Sequence, residues 1–230
     1  MNKHTGSSYD EIAQKYADVQ DKKPWNIYFE RPGVLQFLPD LAGKDVLDAG
    51  CGPGFYTHFM VEKGANVTAF DFNPLFVALT QQRAGAQVKV LQADLAEPLD
   101  FAEDASFDVV VCVLVLHYLQ EWLPALKEFQ RVLRPGGLLI FSTHHPFTDM
   151  ELSPTGDYFS VDLIEDEWDV GKVQFYRRPL SKISRDLFHA GFVIEEISEP
   201  QPQKPPDEVT PAWYERTMKT PSRLLVRARR

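Results

Sequence analysis

Two cysteines in 230 residues, Cys51 and Cys112, are too few for a disulfide framework and show no metal-ligand spacing. The chain fits a reducing compartment, so cytoplasmic residence and metal-independent chemistry are expected. No run of about 18 apolar residues occurs, and no membrane span is expected. Met1 to Asp21 is polar and charged without an apolar core, so no signal peptide is read there. A basic excess is also missing: 24 Lys and Arg face 33 Asp and Glu, for a net charge of −9. Nucleic-acid binders usually carry a positive footprint. The one basic cluster is Arg223, Arg227, Arg229 and Arg230, and alternation through Leu224–Arg229 reads as a final strand with solvated arginines. No internal repeat is present.

What is there is a regular alternation of strand-like and helix-like segments. Strands are expected at 46–49, 66–70, 87–92, 107–113 and 137–143, with helices at 54–63, 74–83 and 121–133 between them. That pattern predicts an α/β fold, a parallel sheet covered by helices on both faces. Ahead of it, residues 8–19 read as an amphipathic helix capped by Ser7 or Ser8, and 28–38 as a second that restarts at Pro32. Residues 144–180 break the alternation. They are rich in aromatics and acids, with two short strands expected near 158–163 and 172–177. A helix at 180–190, a strand at 192–198, a proline-rich loop at 199–211 and a strand at 223–229 complete the chain. The organisation is one domain overall: an N-terminal helical cap at 1–40, a core at 41–143, an inserted lid at 144–180 and a C-terminal completion at 181–230.

The most informative run is Val46-Leu47-Asp48-Ala49-Gly50-Cys51-Gly52-Pro53-Gly54-Phe55. A buried strand there breaks into a glycine turn and enters a helix, bringing backbone N–H groups to a ligand at close range. The second strand ends in Asp71, 23 residues after Asp48, and the third in Asp94. Carboxylates at the carboxyl ends of successive parallel strands suit a nucleoside-type ligand. A dinucleotide site would want a third glycine at 55, where Phe55 stands. Taken singly, Asp71 and Asp94 also fit turn residues or helix caps. Cys51 and Cys112 read as small buried side chains.

With Phe107-Asp108-Val109-Val110 and Arg131-Val132-Leu133-Arg134-Pro135-Gly136-Gly137, these motifs resemble the class I S-adenosylmethionine-dependent methyltransferases over residues 44–143. The resemblance implies a Rossmann-like, seven-stranded, mostly parallel sheet with an antiparallel last strand. It implies S-adenosyl-L-methionine as cofactor and S-adenosyl-L-homocysteine as product. By analogy Gly50, Gly52 and Gly54 form the glycine turn, and Asp48 orients the loop or the cofactor's ammonium. Asp71 accepts the ribose hydroxyls, Phe72 packs on the adenine, and Asp94 with Leu95 meets the adenine edge. Val113 lies where the backbone nears the ligand, and Tyr16 closes over it.

Methyl transfer from a sulfonium to an acceptor depends chiefly on aligning nucleophile, methyl and sulfur, and a base is needed only where the acceptor must lose a proton. His145, held extended before Pro146, is the candidate base. Tyr9, Tyr28, His117, Tyr118, His144, Trp168 and Tyr176 are candidates for the acceptor side, His117 more readily in a structural role. An aromatic stripe of this kind also fits plain packing. The expected function is methylation of a small metabolite or natural product at N, O or S, by a monomer or homodimer without nucleic-acid or membrane partners. A methyltransferase acting on tRNA or protein, or a non-catalytic cofactor-binding protein of the same fold, is the alternative.

Overall fold

The computed structural model describes Thr5, residues 12–206 and residues 211–230. Strands β1 (Asp45–Ala49), β2 (Asn66–Asp71), β3 (Lys89–Gln92), β4 (Phe107–Val113) and β5 (Leu133–His144) are parallel neighbours in the spatial order β3-β2-β1-β4-β5. β9 (Arg223–Arg229) runs antiparallel to β5, and β8 (Val193–Ser198) antiparallel to β9, completing the seven-stranded sheet. Helices α3 (Phe55–Glu62), α4 (Pro74–Ala84), α5 (Leu123–Val132) and α6 (Leu180–His189) connect the strands.

Alternation along each strand divides the core in two. Leu47, Val110, Cys112, Leu139, Phe141, Leu224 and Val226 pack with Trp122 and Phe129 on one face. Val46, Val109, Val111, Ile140 and Leu225 pack with Val34 and Met60 on the other. A third cluster joins Ile12 and Tyr118 to a two-stranded antiparallel hairpin, β6 (Asp162–Trp168) and β7 (Gly171–Arg177).

The expected strand at 158–163 lies elsewhere. β6 begins at Asp162, and the acidic run read as a connection is the strand itself. Its inward positions are Asp162, Ile164, Asp166 and Trp168, while Leu163, Glu165 and Glu167 face outward. Phe159, within the expected strand, is 78% exposed. The first helix, α1, spans Ala13–Gln20; its expected caps Ser7 and Ser8, and Tyr9, lie outside the described residues. Residues Asn26–Glu30 form a π-helical turn, and α2 (Arg31–Phe37) restarts with Pro32 in its first turn, where no N–H is required. Helix α7 (Ala212–Thr217) was not expected from the sequence.

Phe141 is fully buried and meets Trp122 edge to face at 5.7 Å. Phe141→Ala is expected to cost about 3–5 kcal/mol of stability, seen as a lower urea midpoint with an unchanged slope.

Candidate active site

At the end of β1 the chain turns through Gly50, Gly52 and Gly54, all at positive φ. The amides of Gly50 and Cys51 donate to the Phe70 carbonyl at 2.9 and 3.0 Å, tying the turn to β2. The Gly52 amide donates to Asp71 Oδ2 at 2.8 Å, and the Asn73 amide to Asp71 Oδ1 at 2.9 Å. Asn73 then caps α4, accepting from the Leu75 amide at 3.0 Å. The three glycines differ in what requires them. A Cβ on Gly50 would stand 2.4 Å from a Val115 methyl, and one on Gly54 would stand 2.9 Å from the Thr80 Cα. Both are therefore demanded by protein packing. A Cβ on Gly52 would meet open space, so that position alone leaves room beside the backbone.

Asp48 is 2% exposed and accepts from the Thr57 hydroxyl at 2.5 Å. Burial, reinforced by Asp71 and opposed by the Thr57 bond, pushes its carboxyl up to about 7. Burial likewise raises Asp71 to about 6, against the amides of Asn73 and Gly52 that favour its charged form. Cys51 and Cys112 are buried, with thiols pushed up by desolvation, so neither is an activated nucleophile.

These residues open on a cavity of about 800 Å³ at the carboxyl ends of the strands. Of the expected cofactor-side residues, Tyr16, Asp48, Gly50, Gly52, Asp71, Phe72, Asp94, Leu95 and Val113 line it. From the expected acceptor side His117, Tyr118, His144 and Trp168 line it too. Asp94 also makes a local turn, accepting from the Ala96 amide at 2.8 Å. Leu114, just beyond β4, lines the cavity at φ +56, a conformation that costs a non-glycine residue about 1–2 kcal/mol.

Four expected residues do not line the cavity. Gly54 is the left-handed N-cap of α3, packed on Thr80. Tyr176 sits on β7 between inward-facing Phe175 and Arg177, so its side chain projects from the other face. Tyr28 instead accepts, through its carbonyl, the amide of Gln203 at 2.6 Å. His145, the candidate base, is 4% exposed; its Nε2 meets Glu199 Oε1 at 2.7 Å, and its Nδ1 accepts from the Phe147 amide at 3.3 Å. With both ring nitrogens engaged away from the cavity, His145 is not placed to take a proton there.

Its neighbour His144 lines the cavity instead. The His144 ring packs 4.4 Å from that of His117 and 4.5 Å edge-on from Phe175, with Nδ1 3.5 Å from Asp149. Burial lowers the pKa of both rings, aided at His117 by His144 and Arg223 and at His144 by Arg223 against Asp149, so both are neutral at pH 7. The far wall holds Glu30 and Trp213, which sequence reasoning missed, beside Trp25. Glu30, 5% exposed, accepts from the Tyr56 hydroxyl at 2.7 Å; the Trp25 ring lies tilted to that of Trp213 of α7, with 5.5 Å between centroids. Arg223, expected to be solvated, lines the cavity instead, because its β9 position pairs with His144 across the sheet.

Comparison with known proteins agrees with this arrangement. Residues 47–141 match the family model described as a methyltransferase domain. The malonyl-[acyl-carrier protein] O-methyltransferase of Serratia marcescens is 38% identical over 136 residues, covering 59% of this chain and 48% of that protein. A ubiquinone biosynthesis O-methyltransferase of Pseudomonas putida is 41% identical over 106 residues, 45% of each. The chain thus spans about half the length of these two relatives. Among solved structures, an S-adenosylmethionine dependent methyltransferase of Listeria monocytogenes superposes with a TM-score of 0.76 at 25% identity, covering 87% of this chain and 96% of its own.

The raised carboxyl of Asp48 sets a pH dependence. Below pH of about 4 the residue is protonated both folded and unfolded, and its contribution to stability is complete. Between there and about 7 the unfolded chain ionises while the folded one keeps its proton, so this contribution is lost as pH rises. Asp48→Asn should flatten that part of the ligand-free stability profile, measured by urea unfolding from pH 5 to 8.

Proposed function

We propose that the chain, whose residues 47–141 match a methyltransferase domain, is a class I S-adenosylmethionine-dependent methyltransferase that methylates N, O or S of a small metabolite or natural product. The observation that carries this reading is the Gly52–Asp71 pair, an open backbone position beside a carboxylate that faces the cavity. Backbone amides of Gly52, Asn73 and Phe72 hold the Asp71 carboxylate, whose two oxygens offer about four acceptor positions in all, so it keeps capacity for a hydroxyl. Phe72 and Leu95 supply apolar wall, and Asp94 an acceptor, which fits an adenosyl group. S-adenosylmethionine, when bound, supplies a methyl carbon whose bond to sulfur breaks toward sulfur as the acceptor's lone pair attacks.

The protein's share of the chemistry is alignment and dryness. Tyr16, Trp25, Trp168 and Trp213 surround the cavity with aromatic rings from α1, the π-helical turn's entry, the hairpin and α7. His144 takes the role expected of His145: a neutral ring with Nδ1 toward Asp149 leaves Nε2 to accept a proton from a hydroxyl acceptor. The names of the two curated relatives favour oxygen as the acceptor atom. A macromolecular polyanion is disfavoured by Glu167 and Asp169, which stand on the cavity lining.

Asp71→Ala is expected to weaken S-adenosylhomocysteine binding by about 10- to 100-fold, the loss of hydrogen bonds to a charged group. Calorimetry measures it, and unchanged affinity would remove Asp71 from the site. His144→Ala should leave that affinity intact while slowing transfer to a hydroxyl acceptor.

A further inference from the structure

Among the described residues four Lys or Arg side chains line the cavity, and three have a direct ion-pair partner. Lys23 has Asp169 at 3.3 Å, Arg31 has Asp21 at 2.6 Å, and Arg216 has Glu151 at 3.2 Å. Arg223 is different. Among the described residues it has no carboxylate at ion-pair distance, and its Nε is sealed from water without a hydrogen-bond partner. Its Nη1 donates to the Ser222 carbonyl at 2.9 Å. That leaves the edge formed by Nε and the other terminal nitrogen, the edge that grips a carboxylate with two parallel hydrogen bonds.

The surroundings repeat the same polarity. The Arg223 guanidinium lies 5.3 Å from the Trp25 ring centroid, and the Trp25 indole N–H is also buried without a partner. Across the β5–β9 register Arg223 sits opposite His144, so both side chains leave the same face of the sheet. Beside them His117, 1% exposed, keeps an unpartnered Nε2. Glu30 and Asp149 act on the Arg223 charge without pairing it directly; Glu30 is occupied by the Tyr56 hydroxyl, and Asp149 lies 3.5 Å from His144 Nδ1. A desolvated guanidinium with no direct ion pair is costly to keep, and the unsatisfied N–H donors of Arg223 and Trp25 at one wall suit a negatively charged ligand group.

On the methyltransferase reading given above, we propose that the methyl acceptor carries a carboxylate, which docks on the Nε edge of Arg223 and the Trp25 indole N–H. The body of the acceptor then lies along the aromatic wall of Tyr118, Trp168 and Trp213, its reacting atom facing His144. The carboxylate positions the acceptor, and Arg223 takes no part in bond making. An alternative anion such as a phosphate ester has three oxygens to satisfy, against the one free guanidinium edge and one indole N–H found here.

The test uses the full chain, methyl-labelled S-adenosylmethionine and a metabolite extract divided on an anion exchanger, the retained part split into carboxylates and phosphate esters. Label is expected in the carboxylate fraction. With the acceptor so isolated, Arg223→Gln should raise its KM at least about tenfold with kcat little changed, and Arg223→Lys should restore part of the loss. S-adenosylhomocysteine affinity should stay the same in both variants. Label in the unretained or phosphate fraction, or an unchanged KM in Arg223→Gln, overturns the carboxylate assignment and leaves the methyltransferase reading standing. No label in any fraction, with S-adenosylhomocysteine still bound, overturns the methyltransferase reading itself. Should Arg223→Gln lose S-adenosylhomocysteine binding, Trp25→Phe removes the indole N–H while keeping an aromatic ring, and a KM raised at least about threefold is then the expected result.

Discussion

One hydrogen bond organises the rest: the Gly52 amide to the Asp71 carboxylate. It joins the turn after β1 to the end of β2, two segments held in parallel register from Asp45↔Asn66 to Ala49↔Phe70. The same carboxylate fixes Asn73, and Asn73 caps α4. Thr80 of α4 returns a hydroxyl bond to the Gly52 carbonyl at 2.7 Å and packs on Gly54. The loop, the acid and the helix thus hold each other in place, so the cavity's floor stands preorganised from local covalent spacing and a few backbone bonds.

Around that floor the electrostatics are set by burial more than by pairing. Asp48 and Asp71 keep carboxyls well above their ordinary range because water is excluded. A cation brought into the cavity would offset that cost and favour their ionised forms. The proposed acceptor side is the mirror case, with neutral histidines beside a guanidinium whose charge burial disfavours and which no carboxylate pairs directly among the described residues. Such a cavity suits a positively charged donor and a negatively charged acceptor held side by side.

The core was legible because its signals are local. A strand, a glycine turn and an acid at the next strand's end recur within a few residues of each other, and periodicity placed β1, β2, β4 and α4 to within a residue or two. The acceptor wall was not legible, for reasons that differ by residue. His145 and His144 are adjacent in sequence, and alternation sends one to Glu199 and the other to the cavity; nothing local says which. Arg223 opens a run of alternating arginines in which Arg227 and Arg229 do pair with Glu195 at the surface. Only its register opposite His144 distinguishes it. Glu30 and Trp25 belong to a turn with π-type hydrogen bonding, which no spacing rule foretells. β6 was misplaced because its outward face is acidic, and acids read as loop when their inward neighbours are overlooked.

The sheet order carries a consequence for how the molecule is made. β8 touches no strand except β9, and β9 lies between it and β5 although it comes later in the chain. As the polypeptide leaves the ribosome, β8 must wait unpaired while the open flank of β5 stays bare, a period in which either edge can recruit another chain. The insertion that ends this exposure is also the one that delivers Arg223 to its place, so pairing of the β5 flank and completion of that cavity wall are a single event.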